Sequence, residues 1–328
     1  MSTLVGEPKS KFKMASKYNE ANDIYQADIR HPLQSIGSGQ STEIKTYLFA
    51  GAKEVNTIKA YQKEADFADF IDTVDWGWFF FLTKPIFSLL DYCNKLVGNM
   101  GWAIILLTLV VKTVLLPLAY KSYVSMSKLK QLQPEMEKIK KRAGDDRMKL
   151  QQEMMALYKK EKVNPAAGCL PILLLIPIFF SLYKVLFVTI EVRHAPFIGW
   201  ITDLSAPDPS SILNLFGLLP FSPPGPESFL VIFSIGVYPI LMGITMWLQQ
   251  KLNPAPTDKT QQMIFAWMPW IFMFLLGQFS SGLVIYWVAN NIITFAQQYF
   301  IMASQGVKPD IFGNILSSFK KEGASKEN

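Results

Sequence analysis

Polar and apolar residues fall into long separate blocks along the 328-residue chain. The first block, residues 1–75, is polar and contains turn signals such as HPLQSIGSGQ (31–40) and short alternating runs such as Thr46–Phe49. This pattern predicts strands and one short helix, from about Glu54 to Lys63, all exposed to water. Because the block is weakly hydrophobic, we expect it to be only part of a domain.

An aromatic-rich stretch with scattered charges follows at residues 76–99. Its apolar residues recur at helical spacing, namely Ile86, Leu89, Leu90, Cys93, Leu96 and Val97. With charges on the opposite face, this pattern favours an amphipathic helix that lies in a membrane interface. An ordinary amphipathic core helix is the alternative.

Five later blocks are each long and apolar enough to cross a bilayer, which takes about 20 residues. These blocks cover residues 101–120, 168–188, 229–248, 263–279 and 283–302. Prolines lie within or at the ends of the blocks, which membrane helices tolerate when neighbouring groups satisfy the freed carbonyls. The apolar run 212–221 is too short to span, and an interfacial or re-entrant piece fits it better.

The polar block at residues 121–163 predicts a helical hairpin. The first apolar stripe follows a 3-4-3 spacing and consists of Leu129, Leu132, Met136 and Ile139. The second lies beyond a turn at Gly144–Asp146 and consists of Met148, Met155 and Tyr158. Two antiparallel helices packed along these stripes fit the pattern. Pro134 either kinks the first helix or marks its restart.

The charges of the loops predict the orientation. Residues 121–162 carry twelve Lys and Arg, whereas residues 192–228 carry only Arg193. By the positive-inside rule the first loop is cytoplasmic and the second lies outside. Five spans then place residues 1–100 outside and the basic tail, 304–328, inside. Because no signal-peptide pattern precedes this outside region, we expect the full protein to have an earlier spanning segment that this chain lacks.

Composition agrees with a membrane protein and gives no indication of an enzyme. The chain is 50% hydrophobic and 18% charged, whereas soluble proteins have about 25% charge. Two His and two Cys leave little room for a metal site, and Cys93 and Cys169 would lie at opposite membrane faces, too far apart for a disulfide. No HExxH, Walker A, GxGxxG or GxSxG pattern occurs, so we expect no catalysis, cofactor or metal.

Lys112 is the most informative residue of the apolar blocks. At ~1.5 Å per residue it lies roughly 16 Å from Gly101, near the centre of a ~30 Å hydrocarbon core. A cation there costs at least ~2.5–3.5 kcal/mol unless it faces water or a polar partner, so Lys112 is a functional candidate. Thr108, one turn earlier on the same face, either orients the ammonium or bonds back to its own helix.

Two amides in the last apolar block are further candidates. Asn290 and Asn291 lie near its middle, where burial without a partner costs energy. Two roles fit these amides equally: hydrogen bonding between helices and lining a polar groove.

Five segments, in order along the chain, resemble the YidC/Oxa/Alb family of membrane protein insertases. They are GDDRMKLQQEMMALYKKEKVNPAAGCLPILLLIPIFFSLYKVL (144–186), APFIGWITDLSAPDP (195–209), LMGITMWLQQKLNP (241–254), TDKTQQMIFAWMP (257–269) and SGLVIYWVANNIIT (281–294). The resemblance covers about residues 75–303. Residues 1–74 resemble only the end of the periplasmic domain found in Gram-negative members.

The resemblance implies an all-α polytopic membrane protein of the bacterial inner membrane. Its five-helix core, residues 100–303, would surround a water-filled groove open to the cytoplasm and the lipid, and a partial β-rich periplasmic segment would precede it. Lys112 occupies the position of the groove's positive residue, where many bacterial members have Arg. A wet groove would keep its ammonium protonated, whereas a dry one could neutralise it.

The function implied is insertion of client membrane proteins into the bilayer, alone or with the Sec translocon, and chaperone activity toward them. The partners would be newly made membrane proteins, the ribosome and lipids. The groove residues would be Lys112, Thr108, Asn290 and Asn291. The hairpin would offer a partner surface at Met136, Asp145, Asp146, Met154 and Met155, although some hairpin methionines must pack the hairpin itself.

Two other functions are weighed against the insertase. A small-solute transporter or channel is the alternative, but such proteins usually show inverted repeats, and the sequence shows no clear one. The basic hairpin suggests nucleic acid, but its cations are mixed with carboxylates and it lacks base-stacking aromatics. We therefore expect no specific nucleic-acid readout.

Overall fold

The computed structural model describes residues 2–144, 146–164, 170–225, 227–253 and 259–307. It divides into two compact units. The first unit contains Met1–Gly77 and Val188–Glu191, and the second contains Trp78–Phe187 and Val192–Asn328. Helices dominate the described residues, which confirms the mostly helical class.

The first unit combines four strands with one helix. The strands are β1 Ser2–Gly6, β2 Lys13–Asn19, β3 Ile24–Arg30 and β4 Thr46–Ala50, and the helix is α1 Val55–Glu64. Strands β1 and β4 pair antiparallel, as do β2 and β3. These elements confirm the strands and the short helix predicted from the sequence.

Aromatic packing and one carboxylate hold this unit together. The ring of Phe49 meets those of Tyr61 and Phe70 edge-on, with centroids 6.0 and 5.6 Å apart, a favourable geometry for ring pairs. The first backbone N–H of α1, at Val55, donates to Glu191 Oε1 at 3.0 Å. A carboxylate at a helix N-terminus satisfies a free donor and complements the helix dipole. Residues 188–191 therefore belong with α1.

The second unit is built of helices. These are α2 Phe80–Val97, α3 Met100–Val114, α4 Leu116–Gln131, α5 Gln133–Ala143, α6 Arg147–Lys160, α7 Leu170–Val188, α8 Val237–Leu252, α9 Lys259–Leu276 and α10 Ser281–Ser304. Helix α10 is central, since it packs on α3, α4 and α8, while α2 packs on α3 and α9 on α8. One face of α10 is buried from the first turn to the last, from Ser281 to Met302, while Ile292 and Phe300 are exposed.

The first apolar block is bent rather than one straight helix. Helix α3 ends at Val114, α4 begins at Leu116, and their axes meet at 69°. Pro117 explains the break, because proline lacks an N–H, clashes with the carbonyl four residues earlier and disfavours a helical residue before it. The expectation of one helix across residues 101–120 is therefore wrong. Lys112 lies in the last turn of α3, where the helix dipole favours a cation.

Other predicted spans coincide with helices only in part. Helices α7, α9 and α10 overlap the blocks 168–188, 263–279 and 283–302, whereas residues 229–233 form a 3-10 turn before α8. Within the described part of the chain, no helix alone meets the length and hydropathy needed to cross a bilayer, and α3 with α4 does so only as a bent pair. The division into five spans stays a prediction.

The structure contains the predicted hairpin, formed by α5 and α6. Its core is Met136, Ile139, Met154 and Leu157, with Leu132, Leu150 and Tyr158 packed against it. The second stripe is therefore corrected, because Met148 and Met155 are exposed. Helix α5 restarts at Gln133, just before Pro134, so this proline marks a restart.

Candidate functional site at Lys112

A small pocket lies among α2, α3, α7 and α10. Its cavity volume is about 10 Å³, close to the minimum for one water molecule. The lining is mostly apolar and consists of Ile86, Leu107, Thr108, Val111, Lys112, Ile178, Leu182, Tyr286 and Asn290. The sequence-predicted Lys112, Thr108 and Asn290 are thus brought together.

Lys112 is buried with a neutral partner. Its side chain is 7% exposed, and its Nζ donates to the hydroxyl oxygen of Thr294 at 2.8 Å. Thr294 in turn donates its own proton to the backbone carbonyl of Asn290 at 2.6 Å. Among the described residues no carboxylate pairs with Lys112. The ammonium therefore has a hydrogen-bond acceptor but no counter-charge.

Helix α10 holds the last turn of α3 at a second point. Gln297 Nε2 donates to the backbone carbonyl of Lys112 at 3.4 Å. The next residue, Gln298, is fully buried and donates to Asn253 Oδ1, at the end of α8, at 2.9 Å. Sequence reasoning missed Thr294, although Asn290, Thr294 and Gln298 form a polar row at four-residue spacing on α10.

The other predicted groove residues, Thr108, Asn290 and Asn291, make different contacts in the structure. Thr108 donates its hydroxyl to the carbonyl of Ile104 at 2.7 Å, so the bond back to its own helix is the one formed. Asn291 donates to Thr245 Oγ1 at 3.3 Å and joins α10 to α8. It does not line the pocket. Asn290 does, and its Oδ1 is buried with no hydrogen-bond partner among the described residues.

A buried carboxylate fixes the start of α8 elsewhere in this unit. Asp208 Oδ1 accepts the indole N–H of Trp200 at 2.9 Å, and its Oδ2 accepts the backbone N–H of Tyr238 at 3.0 Å. Ser210 Oγ accepts the N–H of Val237 at 3.0 Å. Residues 200–210 thereby satisfy donors that the first turn of α8 leaves free.

A second carboxylate orders the same loop. Asp203 Oδ1 accepts the backbone N–H groups of His194 and Ser205 at 3.0 and 2.8 Å and the Ser205 hydroxyl at 2.6 Å. Partial burial opposes ionisation of Asp203, but the hydrogen bonds from Ser205 and His194 outweigh it. They hold the pKa of this carboxyl below its ordinary value.

Comparison with known proteins matches both units of the chain. Residues 92–308 match the family model described as 60Kd inner membrane protein, and residues 1–89 match the YidC periplasmic domain. The chain belongs to the YidC membrane protein insertase family. The first match contains α3 to α10 and therefore every residue of the Lys112 site except Ile86 of α2.

Relatives within the YidC family are close in sequence. The chain is 64% identical to a membrane protein insertase YidC of Dinoroseobacter shibae, over 100% of this chain and 54% of the relative. It is 67% identical to one of Roseobacter denitrificans, over 98% of this chain and 53% of the relative. The chain thus spans about half the length of these curated relatives.

A solved structure of the YidC family shares the fold. The chain resembles the crystal structure described as an active YidC insertase with the first transmembrane domain resolved, with a TM-score of 0.52 and 23% identity. The likeness covers 90% of this chain and 64% of the other. It supports the helical architecture described above.

The hairpin of this YidC-family chain exposes only part of the predicted partner surface. Met136 and Met154 lie in the hairpin core and are closed to a partner. Met155 is exposed, and Asp146 is exposed while its carboxylate accepts the N–H of Lys149 at the start of α6. Asp145 lies outside the described residues, as does Cys169, so the expectation about a disulfide stays a prediction.

Proposed function

We propose that this chain is a membrane protein insertase that moves hydrophobic segments of client proteins into the bilayer past the buried cation of Lys112. Membership of the YidC family supports this activity. The observation that carries the proposal is the buried ammonium of Lys112, which has a neutral acceptor at Thr294 and lines a pocket. Such a group suits transient contact with a polar segment better than permanent structure.

The mechanism follows from the missing counter-charge. A buried ion pair within the protein would neutralise Lys112, whereas the Thr294 hydroxyl leaves its positive charge available. A polar or acidic client segment meets this cation where the dielectric constant is low and attraction between charges is strong. The apolar part of the client then moves sideways into lipid. Its burial supplies the driving force, and no covalent bond changes.

The proposed topology has five spans in the bacterial inner membrane. Helices α3, α7, α8, α9 and α10 supply them. The hairpin 121–163 and the tail 304–328 lie in the cytoplasm, and residues 1–75 lie in the periplasm. The excess of cations in the first loop supports this orientation.

Helix α2 is proposed to lie in the membrane interface. Its Phe87 and Leu90 are buried in the second unit, whereas Phe80, Phe81 and Leu96 are exposed. Large apolar side chains left exposed along an amphipathic helix suit lipid contact.

The proposed partners are newly made membrane proteins, membrane lipids, the ribosome and the Sec translocon. The basic hairpin supports the contacts with anionic headgroups and with the ribosome. The exposed Met155 on α6 adds an adaptable apolar side chain to that surface.

Insertion of a small single-span client into vesicles that contain this chain tests the proposal. Lys112→Arg is expected to keep near-normal insertion, Lys112→Ala to lower it, and Lys112→Glu to lower it most for clients with an acidic outer segment. Lys95→Ala serves as the matched control, because Lys95 is exposed and pairs with Asp91 on α2. Equal insertion by all of the Lys112 variants would rule out the charge mechanism.

A further inference from the structure

Asn290 has a hydrogen-bond acceptor that the folded chain leaves unused. The residue is 9% exposed, and its Oδ1 is buried without a partner among the described residues. Its backbone carbonyl is occupied by the Thr294 hydroxyl, so the free acceptor is on the side chain. A buried acceptor without a partner costs about 1–3 kcal/mol. Such a cost suggests a group that arrives from outside the chain.

Asn290, which carries the free acceptor, lines the same pocket as Lys112. Lys112 carries three N–H bonds on its ammonium, and one of them is directed to Thr294. The other hydroxyl nearby, on Thr108, donates to Ile104 and does not compete for Asn290. The pocket is therefore lined by one residue of α3 that carries a cationic donor and by one residue of α10 that carries a neutral acceptor.

These two groups together select a particular chemistry. A carboxylate only accepts hydrogen bonds, so it can satisfy Lys112 but leaves Asn290 without a donor. An amide group has a carbonyl that accepts and an N–H that donates, so it satisfies both. At about 10 Å³ the cavity holds about one water molecule, so the pocket has to widen to admit an amide group.

We propose that Lys112 and Asn290 form a two-point subsite for an amide group of the client, either an Asn or Gln side chain or a peptide unit. This inference rests on the proposed insertase function. It makes Asn290 the residue that admits uncharged polar segments, whereas Lys112 alone serves acidic ones. An amide that entered an apolar pocket unpaired would lose about 2–7 kcal/mol, and the subsite offsets that loss.

A set of matched clients tests the subsite. The clients share one apolar helix and carry Asn, Asp or Leu at a single position of the outer segment, and their insertion into vesicles is compared. Leucine is close to asparagine in size but forms no hydrogen bond. Asn290→Leu is therefore expected to lower insertion of the Asn client about 3- to 10-fold relative to the Asp client, the loss of one hydrogen bond.

Two further variants separate binding from structure. Asn290→Asp places a carboxylate beside Lys112. It is expected to lower insertion of the Asp client more than insertion of the Asn client, the reverse of the effect of Asn290→Leu. Asn291→Leu removes the neighbouring amide, which contacts Thr245 rather than the pocket, so it is expected to leave the ratio of the two clients unchanged.

The outcomes distinguish this inference from the function on which it rests. If the unaltered chain inserts no client, both fail. If it inserts all clients and Asn290→Leu lowers them equally or not at all, the subsite alone is overturned. The opposite shifts expected for Leu and Asp at position 290 guard against a simple folding defect, which would lower both clients together.

Discussion

The ammonium of Lys112 and the hydroxyl of Thr294 meet at 2.8 Å across the contact between α3 and α10. The threonine can accept this bond because its own proton is directed to the carbonyl of Asn290. One hydroxyl thus orients a buried cation while leaving its charge uncompensated. Two helices that are far apart in sequence are joined by this bond.

Replacing Thr294 by valine is expected to destabilise the helical unit. Valine keeps the shape of threonine but removes the acceptor, and a hydrogen bond to a charged group contributes about 1.5–3 kcal/mol. Thermal unfolding in detergent should show a lower midpoint for Thr294→Val. Thr294→Ser restores the hydroxyl and should recover most of the loss. Equal midpoints for valine and the unaltered chain would contradict the role of this bond.

Two adjacent methionines on α6 are expected to respond differently to truncation. Met154 is 8% exposed and packs in the hairpin core, whereas Met155 is 49% exposed. Met154→Ala should therefore destabilise the hairpin by about 2–5 kcal/mol, while Met155→Ala should change it little. Hydrogen exchange of α5 and α6 measures the difference. Faster exchange in the Met155 variant than in the Met154 variant would refute the observed packing.

The loop around Asp203 is expected to lose stability in acid. Its hydrogen bonds to Ser205 and His194 lower the folded-state pKa of Asp203, while the unfolded value is about 3.9. The ionised carboxylate therefore stabilises the fold fully above about pH 3.9, and this contribution is lost as pH falls through the folded value.

Unfolding midpoints measured from pH 7 down to acid test this expectation. The unaltered chain should lose stability more steeply below about pH 3.9 than Asp203→Asn, which lacks the titrating group. Parallel curves for the two proteins would show that Asp203 does not contribute.

Much of the helical framework was predictable from block length and spacing alone. The hairpin, the helix at about Glu54–Lys63 and the buried position of Lys112 all follow from hydrophobic periodicity. The break at Leu115 did not, because a proline near the end of an apolar block is compatible with both a continued and a broken helix. The backbone of the folded chain shows that the first helix ends at Val114.

The polar contacts were harder to predict than the helices. A single threonine in an apolar helix usually bonds to its own backbone, as Thr108 and Thr294 both do. Nothing in the sequence distinguishes the one that also accepts from Lys112. The sequence likewise does not show which of Met154 and Met155 is buried, since two adjacent apolar residues fit the helical period about equally well.

The early end of α3 has a consequence for the membrane around it. Its 15 residues span about 22 Å at ~1.5 Å per residue, whereas the hydrocarbon layer is ~30 Å thick. A helix that stops short leaves four carbonyl oxygens without partners in its own helix, and Gln297 donates to the backbone carbonyl of Lys112 in that same last turn. We expect the bilayer to be locally thinned beside α3 through hydrophobic mismatch. A polar segment that crosses at this point would then traverse a shorter path through the hydrocarbon layer.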